Sequence, residues 1–377
     1  MAGKNLHDKP FDQSTIAKLE IFEDYAEAWM PAFVMQGKPK ICIFDFFAGT
    51  GYDMDGVAGS PIRILEKITH FLGSIFQKGV KVHVYLNEFE PDKRLQQKFA
   101  QLQKACKEYL DQHKDLASAI ELHLFNEDCE ELLPKLMPTI EKYPSLVYLD
   151  QNGVKFLSNK YLLALEKMRE TDFLYFVSSS YIARFGNTPE FRMHINFDLD
   201  EAKQKGYRFI HCSIIEQLRR KLPNGTELRL YPFSILKGAN VYGIVFGTTH
   251  PLAVDKFLTL SWKRNELNGE ADFDLHQDKK KPQMSFFDDN KLTKREQFKQ
   301  NVRSKILSGE ITDNFGLLEY AYDQGHIGSH AAEVLREMKK RKEVDFEGYS
   351  PLVTYENVYK TKKRTVYKVL RTVTAID

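Results

Sequence analysis

The chain has 377 residues, of which 42% are hydrophobic and 28% are charged, so we expect two or more globular domains and exclude a disordered or fibrous protein. It contains no run of about 18 apolar residues and begins without the apolar segment of a secretory signal, so we expect neither a membrane span nor secretion. The four cysteines are scattered without a Cys-x-x-Cys pair, which argues against a zinc ribbon or disulfide framework and favours the cytoplasm.

The first two thirds of the chain alternate between helical and strand-like patterns. An amphipathic helix is predicted over 14–35, capped by Ser14 or Thr15, and another helix begins with Ser60 as its N-cap and Pro61 after it. The alternation predicts an α/β fold whose core is a doubly wound, mostly parallel sheet of methyltransferase type. The predicted strands are 41–47, 81–90, 120–128, 145–150, 173–181, 207–214, 228–236 and 241–248, and the other helices are 91–112, a short one from 129 and 158–169.

The last third is predicted to be mostly helical. Three helical faces, around 294–308, 315–322 and 331–338, precede two strand-like runs at 351–359 and 365–371, an order typical of a winged helix-turn-helix. The predicted organisation is an N-terminal helical segment 1–37, a Rossmann-like domain 38–263, a polar linker arm 264–292 and a winged helix-turn-helix-like domain 293–377.

The small net charge of +2 conceals an asymmetry along the chain. Residues 291–377 contain 17 Lys and Arg against 12 Asp and Glu, whereas the preceding residues are mildly acidic. A basic C-terminal part suits an anionic partner, although an ordinary solvated surface has the same composition.

The sharpest motif is the sequence DFFAGTG at residues 45–51, directly after the first strand. Glycines allow a ligand to approach the backbone closely, and ligands of open α/β sheets bind at this edge. The motif resembles the first motif of S-adenosylmethionine-dependent methyltransferases, and its F-x-G-x-G core resembles that of amino-methylating nucleic-acid enzymes. A plain strand-to-loop turn is the alternative. The resemblance implies S-adenosylmethionine as cofactor, held in part by Asp45, Phe47, Ala48, Gly49 and Gly51.

Acidic residues after the next strands extend the resemblance. Glu88 is the candidate for the ribose hydroxyls, with a solvated strand-end acid as the alternative. The resemblance implies that Asp128 receives the adenine amino group with Cys129 beside the ring, although Asp128 also suits a helix N-cap. Asp150 occupies the position of the catalytic acid, as acceptor or base, or is a turn residue. The prolines and aromatic residue that follow this acid in amino methyltransferases are absent here, where Gln151 follows.

The whole pattern resembles the three-Cys-motif partner proteins, a prokaryotic family named for the cysteines of a neighbouring protein. The resemblance spans most of residues 10–345 and is specific at 41–65, where the GSP helix start at 59–61 follows the glycine loop. The family commonly has a proline and an aromatic residue where Gln151 and Asn152 stand in this chain. The resemblance implies a methyltransferase-like domain and a three-Cys-motif protein as partner.

Other candidate sites are less specific. Ser178 and Tyr181 follow a late strand and are predicted to face the substrate. The peptide QMSFF at 283–287 is similar to sliding-clamp-binding peptides or docks back on its own domain. The histidines show no metal-ligand spacing, so no metal is predicted, and we expect His326 and His330 to have a capping or surface role. The predicted nucleic-acid contacts are Arg336, Lys339, Lys340, Lys362, Lys363 and Arg364.

Two functions follow from these patterns. The first is an S-adenosylmethionine-dependent methyltransferase acting on or with nucleic acid in a mobile-element or defence setting. The second is a non-catalytic DNA- or partner-binding protein, in which a nucleotide-sensing Rossmann-like domain accompanies the winged helix. For the latter domain, docking to a protein remains an alternative to DNA, because folds are reused with different functions.

Overall fold

A computed structural model describes residues 10–91, 97–150, 159–186, 188–189, 198–204, 206–238, 240–277 and 292–370 of the chain. The chain divides into two compact units, Met1–His250 and Pro251–Asp377. The division lies before the predicted domain end at residue 263, because the helix Pro251–Arg264 packs within the second unit. There the Trp262 indole donates to Gly325 O at 2.9 Å. In the described part of the chain, no helix combines the length and apolarity needed to cross a membrane.

A single large sheet organises the first unit, with the strand order β3-β2-β1-β4-β5-β7-β6. Strands β1 to β5 are parallel, and β7 runs antiparallel between β5 and β6. The predicted doubly wound, mostly parallel sheet of methyltransferase type is therefore confirmed. Its strands are β1 Lys40–Asp45, β2 Lys81–Asn87, β3 Ile120–Phe125, β4 Ser145–Leu149, β5 Thr171–Ser178, β6 Arg229–Lys237 and β7 Asn240–Thr248.

Helices flank this sheet. The predicted strand at 207–214 is wrong, because these residues form a 3-10 turn, Tyr207–Phe209, and the start of a helix. The described helices of the first unit are α1 Gln13–Val34, α2 Ser60–Thr69, α3 Leu72–Lys78, α4 Gln97–Gln112, α5 Lys114–Ala119, α6 Cys129–Lys142, α7 Asn159–Glu166, α8 Ser179–Phe185, α9 Leu199–Gln204 and α10 Ile210–Lys221.

The predicted capping residues differ from those in the structure. Asp12 caps α1 by accepting the Thr15 N–H at 2.9 Å, so the predicted Ser14 or Thr15 cap lies too far along the chain. Gly59 is the N-cap of α2, and Ser60 is the first residue of the helix, with its hydroxyl directed to a buried carboxyl, Asp45. The buried face of α1 then packs on the sheet, where Phe22 stacks on Tyr148 with ring centroids 4.1 Å apart.

A glycine fits the antiparallel strand into the sheet. Gly247 of β7 is directly opposite Phe173 of β5. A Cβ atom at residue 247 would lie 1.9 Å from the Phe173 ring, so only glycine leaves room for this ring. The buried ring of Phe173 thus fills the space that a side chain at residue 247 would occupy.

The second unit is mostly helical. The segment 265–277, which follows the helix Pro251–Arg264, was predicted to be part of a linker arm. Two of its side chains, Ala271 and Leu275, are buried. The predicted helices near 294–308, 315–322 and 331–338 are all present. The helices are α11 Pro251–Arg264, α12 Lys294–Leu307, α13 Asn314–Asp323 and α14 Gly328–Lys340.

The small sheet of the second unit differs from the predicted hairpin. Strand β8, Val344–Asp345, pairs antiparallel with β9, Lys368–Val369. The predicted strand 351–359 is wrong, since Glu356–Lys360 form a π-helical turn. The chain between the two strands therefore forms an irregular wing rather than a tight hairpin.

Candidate functional site

The glycine loop follows β1 at the carboxyl edge of the sheet. Gly49 and Gly51 have φ angles of +69° and +93°, which L side chains rarely adopt. A Cβ atom at residue 51 would also lie 2.6 Å from Ala105 Cβ on α4, so the loop sits tightly against that helix. Gly51 O accepts the Gly59 N–H at 2.8 Å, which closes the loop before α2 begins.

Glu88, the candidate for the ribose hydroxyls, contacts the glycine loop. Its Oε2 accepts the Gly49 N–H at 2.9 Å, which joins the end of β2 to the loop after β1. Burial raises the pKa of Glu88 above its ordinary value, although the hydrogen bond from Gly49 and the charge of Lys98 oppose the shift. The alternative of a solvated strand-end acid does not describe this half-buried side chain.

Asp45 is almost completely buried at the end of β1. Its Oδ1 accepts the Phe47 N–H at 3.0 Å, whereas Oδ2 has no hydrogen-bond partner among the described residues. Burial raises the pKa of Asp45 to about 7, and the nearby charges of Asp150 and Glu88 act in the same direction. The carboxyl groups at the ends of β2 and β4 therefore act on the buried carboxyl at the end of β1, beside the glycine loop.

Asn87, a residue that the sequence did not single out, connects three segments at this edge. Its amide nitrogen donates to Phe46 O at 3.2 Å and to Glu127 O at 3.0 Å, and its Oδ1 accepts the Glu127 N–H at 3.1 Å. Its carbonyl accepts the Ala48 N–H at 2.9 Å. The sequence could have identified Asn87 by its position, since it is a polar residue at the end of the mostly apolar strand β2.

Asp150 has a partner that the sequence did not reveal. The Lys18 ammonium, on α1, bonds Asp150 Oδ2, and both side chains are mostly buried. The same ammonium lies 4.5 Å from the Phe176 ring centroid. Asp150 is therefore part of an ion pair rather than only a turn residue. The following residues of the predicted motif, 151–153, lie outside the described part of the chain.

Asp128 and Cys129 lie at the start of α6. Asp128 is exposed and caps the helix, with its Oδ1 accepting the Glu130 N–H at 2.8 Å. Cys129 is buried, and burial raises the pKa of its thiol far above the ordinary value. The capping role of Asp128 is thus present, and its carboxylate remains at the same strand edge as Glu88.

The two candidate substrate residues lie beyond β5. Ser178 is the N-cap of α8, and its hydroxyl accepts the Tyr181 N–H at 3.3 Å. Tyr181 is half-buried and packs against Phe185, with ring centroids 4.8 Å apart. Both side chains therefore organise the start of α8.

A further missed residue, Asp53, shapes the end of the glycine loop. Its Oδ1 accepts the N–H groups of Asp55 and Val57 at 2.9 and 2.8 Å. Its Oδ2 accepts the Phe11 N–H at 2.7 Å, so the segment before α1 is bound to the loop.

The predicted nucleic-acid contacts fall into two groups. Lys339 donates to Phe346 O at 2.6 Å and to Gly348 O at 3.0 Å, and Arg364 donates to Asp313 Oδ2 at 2.7 Å, so these two cations support the wing. The second group is exposed, and its side chains form no hydrogen bond or ion pair with any described residue. It consists of Arg336, Lys340, Lys362 and Lys363.

His326 and His330 are core residues, which corrects the expected capping or surface role. They are 1% and 7% exposed, and their Nδ1 atoms lie 3.0 Å apart. His326 stacks on Phe298 at 3.9 Å, and His330 meets the Trp262 ring edge-on at 4.5 Å. Burial lowers the pKa of His330 to about 4 and that of His326 still further. Both imidazoles are therefore neutral at neutral pH.

Several solved structures are similar to the chain. They include the O-methyltransferase TomG of Streptomyces achromogenes with S-adenosylmethionine, an O-methyltransferase of Bacillus cereus with S-adenosylhomocysteine, and a fibrillarin–Nop5p complex. Their identities are 11%, 12% and 10%, and their TM-scores are 0.32, 0.30 and 0.28. The matches cover 64%, 63% and 59% of this chain and 92%, 91% and 82% of those chains. With TM-scores this low, the fold assignment rests on the strand order described above.

No curated protein matches the chain. A family match is limited to the second unit, where residues 274–348 match the family described as a GMT-like wHTH domain. The matched range contains helices α12, α13 and α14 and reaches the first wing strand. The second unit therefore contains a winged helix-turn-helix domain.

Proposed function

We propose that the first unit binds S-adenosylmethionine beside the 45–51 loop and that the chain is a methyltransferase acting on or with nucleic acid. The observation that carries this proposal is the meeting of Asp45, Glu88 and Asp150 at the ends of three neighbouring strands. These ends form the crevice in which open α/β sheets bind ligands.

The charges favour this cofactor over a phosphate-containing dinucleotide. Opposite charges attract strongly where water is excluded, and S-adenosylmethionine carries a sulfonium and an ammonium group. Phosphates prefer backbone N–H groups at a helix N-terminus. In this loop the Gly49 N–H donates instead to the Glu88 carboxylate, so an anionic ligand would face a negative charge.

The described residues fit the cofactor. In this proposal Glu88 binds the ribose hydroxyls and Asp128 the adenine amino group. The positive φ of Gly49 and its contact with Glu88 support a close approach of the ligand to this backbone. The buried Asp45 Oδ2, which lacks a partner among the described residues, adds negative charge where a cation would sit. The bound cofactor would supply an electrophilic methyl group, so the residues mainly have to orient donor and acceptor. Asp150, anchored by Lys18, is the candidate acceptor-binding acid.

Titration calorimetry with S-adenosylmethionine tests the cofactor. Gly49→Ala is the informative variant, and Gly79→Ala is its matched control, because Gly79 has a similar φ of +65° but lies at the end of α3 with open space around it. Alanine costs about 1 kcal/mol at either position. We expect the wild type and G79A to bind and G49A to lose at least about tenfold in affinity, equivalent to ~1.4 kcal/mol. Absence of binding by the wild type, or equal binding by all three, would overturn the proposal.

The second candidate function is that of a non-catalytic DNA- or partner-binding protein. It is favoured by the four exposed cations at the end of α14 and in the wing. Lys and Arg that neutralise phosphates make binding fall steeply with salt. In fluorescence anisotropy with duplex DNA, Lys362→Ala/Lys363→Ala should weaken binding and flatten its salt dependence by about two phosphate contacts. Lys305→Ala is the control, since Lys305 is already paired with Glu310.

The outcomes separate the two functions. Binding of DNA without binding of S-adenosylmethionine favours the second, and binding of both favours the first. DNA binding that does not respond to the double substitution would exclude the wing as its contact and leave protein docking as the role of this domain.

Further partner and location proposals rest on the sequence alone. Family resemblance supports a three-Cys-motif protein as partner and a mobile-element or defence setting. The clamp-like peptide 283–287 lies outside the described residues, so a sliding clamp stays a prediction. The predicted cytoplasmic location rests on the scattered cysteines of the sequence and also stays a prediction.

A further inference from the structure

Two histidines and a glutamate meet on one face of the sheet, away from the glycine loop. Register pairs His83 of β2 with Glu121 of β3, and Tyr85 of β2 with His123 of β3. Residues two apart on a strand share a face, so His83, Glu121 and His123 point to the same side. Among the described residues, this is the group of metal-binding side chains whose ligand atoms lie within 4.8 Å of one another.

The distances are close to those of a metal site. His83 Nδ1 lies 3.0 Å from His123 Nε2, and His123 Nε2 lies 3.4 Å from Glu121 Oε1. Two ligands of a tetrahedral Zn²⁺, each about 2.0–2.1 Å from the metal, are roughly 3.3 Å apart. His123 therefore has a second imidazole and a carboxylate at about the spacing that one ion requires.

The surroundings orient the rings and leave one side open. His123 stacks on Tyr85 with centroids 4.2 Å apart, and the Tyr85 hydroxyl accepts from Lys40 Nζ at 3.2 Å. The His83 side chain is 10% exposed, whereas Glu121 is 53% exposed and His123 26%. Solvent can reach the site from the side of Glu121.

We propose that His83, Glu121 and His123 bind a late first-row divalent cation of the Zn²⁺ type, with water completing the coordination. Two imidazoles and a carboxylate are a ligand set that Zn²⁺ accepts. The bound ion connects the edge strand β3 to β2. The site is separate from the proposed cofactor site, since five residues of extended chain, about 16 Å, separate His83 from Glu88.

The test uses the full chain, freed of any affinity tag and treated with a chelator, then titrated with ZnCl₂ by calorimetry. We expect saturable binding of one equivalent and a rise in Tm, because an ion that binds the folded state stabilises it. Co²⁺ serves as a spectroscopic probe, and its visible bands should show nitrogen and oxygen ligands. Failure to bind either ion saturably would overturn the proposal and leave a hydrogen-bonded histidine pair beside Glu121.

Variants identify the ligands. His123→Gln and Glu121→Gln should each lower Zn²⁺ affinity at least about tenfold and abolish the Tm rise. Glu121→Gln alters a side chain that is more than half exposed, so it remains informative if His123→Gln fails to fold. His70→Gln is the matched control, because His70 lies 3.1 Å from Glu27 without a second imidazole among the described groups that could bind a metal. Undiminished binding by H123Q and E121Q would place the ion elsewhere and overturn the assignment.

Discussion

The two units bury charge in opposite ways. In the first unit, Asp45 and Glu88 are buried close together, and burial raises the pKa of each. In the second unit, Glu270 bonds both Lys294 and His276, at 2.8 and 2.6 Å, and these partners hold the pKa of Glu270 below its ordinary value. The buried Glu270 is thus balanced by the charge of Lys294, whereas no cation is among the groups that shift the pKa of Asp45 in the described part of the chain.

The difference indicates where each unit acts. Carboxyl groups whose pKa is raised by burial lower the stability of the folded protein at neutral pH and are characteristic of ligand sites. A unit with a balanced interior and unpaired surface cations is suited to contacts with a large anionic partner. This difference accords with the proposed small-ligand site in the first unit and the proposed macromolecular contact on the second.

A large effect is expected from removing one buried charge, with Asp45→Asn. The pKa of Asp45 is raised to about 7 in the folded state, compared with 3.8 in the unfolded state. The free energy of unfolding is therefore highest below pH 3.8, where the carboxyl is protonated in both states, and falls as the pH rises to 7. Full ionisation of Asp45 therefore lowers the free energy of unfolding by about 4 kcal/mol. D45N avoids this loss but buries an amide nitrogen without a partner, so we expect D45N to be about 2 kcal/mol more stable than the wild type at pH 8.

Urea denaturation at pH 5 and pH 8 measures this effect. D45N should be more stable than the wild type at pH 8, with a smaller difference at pH 5, and should bind S-adenosylmethionine more weakly. Asp115→Asn, at an exposed position of α5, is the control and should change neither property. An unchanged pH dependence in D45N would contradict the comparison between the units.

Acid should destabilise the second unit through its neutral histidines. The pKa values of His326 and His330 are lowered by burial, so the unfolded state takes up protons below about pH 6.5 that the folded state does not. The contribution of these two neutral histidines to the free energy of unfolding is fully present above about pH 6.5 and is lost as the pH falls. At pH 5 the loss is about 2 kcal/mol for each histidine.

Trp262, beside both rings, reports this change once Trp29→Phe has removed the other tryptophan. The double variant His326→Leu/His330→Leu should lose most of the dependence between pH 7.5 and pH 5. His70→Gln, at an exposed position, should retain it. Equal acid sensitivity in all variants would show that other groups cause it.

The smallest effect is expected for Lys18→Met, which removes the cation from the acidic site. An ion pair that is mostly buried contributes about 1 kcal/mol, and its loss leaves Asp150 unpaired beside Asp45. Stability should therefore fall more steeply between pH 5 and pH 8 in K18M than in the wild type. Lys38→Met is the matched control, because the Lys38–Glu170 pair is more exposed and lies outside the three acids. Identical pH profiles in K18M and K38M would contradict this view of the site.

Local patterns in the sequence were sufficient for most of the fold. Apolar runs and amphipathic periods predicted the strands of the sheet and the three helices of the winged domain, since both patterns report which side of an element is buried. The predicted strand at 207–214 failed because a short apolar run does not by itself distinguish a strand from the start of a helix, here α10. The predicted strand 351–359 failed because the first wing strand, β8, is only two residues long and lies before this run.

The candidate site was predictable only where it follows strand ends. Glu88 was expected near Gly49 because parallel strands end at one edge of the sheet. The Lys18–Asp150 pair joins residues 132 apart along the chain and depends on how α1 packs, which the sequence does not state. The group of His83, Glu121 and His123 arises from strand register, so its members show no ligand spacing along the chain.

The contact between Gly247 and Phe173 has a consequence for how the chain finds its topology. A slip of β7 by one residue would turn its side chains to the opposite face and present either Phe246 or Thr248 to the Phe173 ring. The misaligned pairings are thus disfavoured by a steric clash with the Phe173 ring rather than by the burial of polar groups. Gly247 therefore helps to fix the register of β7, and an error in this register would also displace β6, which pairs with β7.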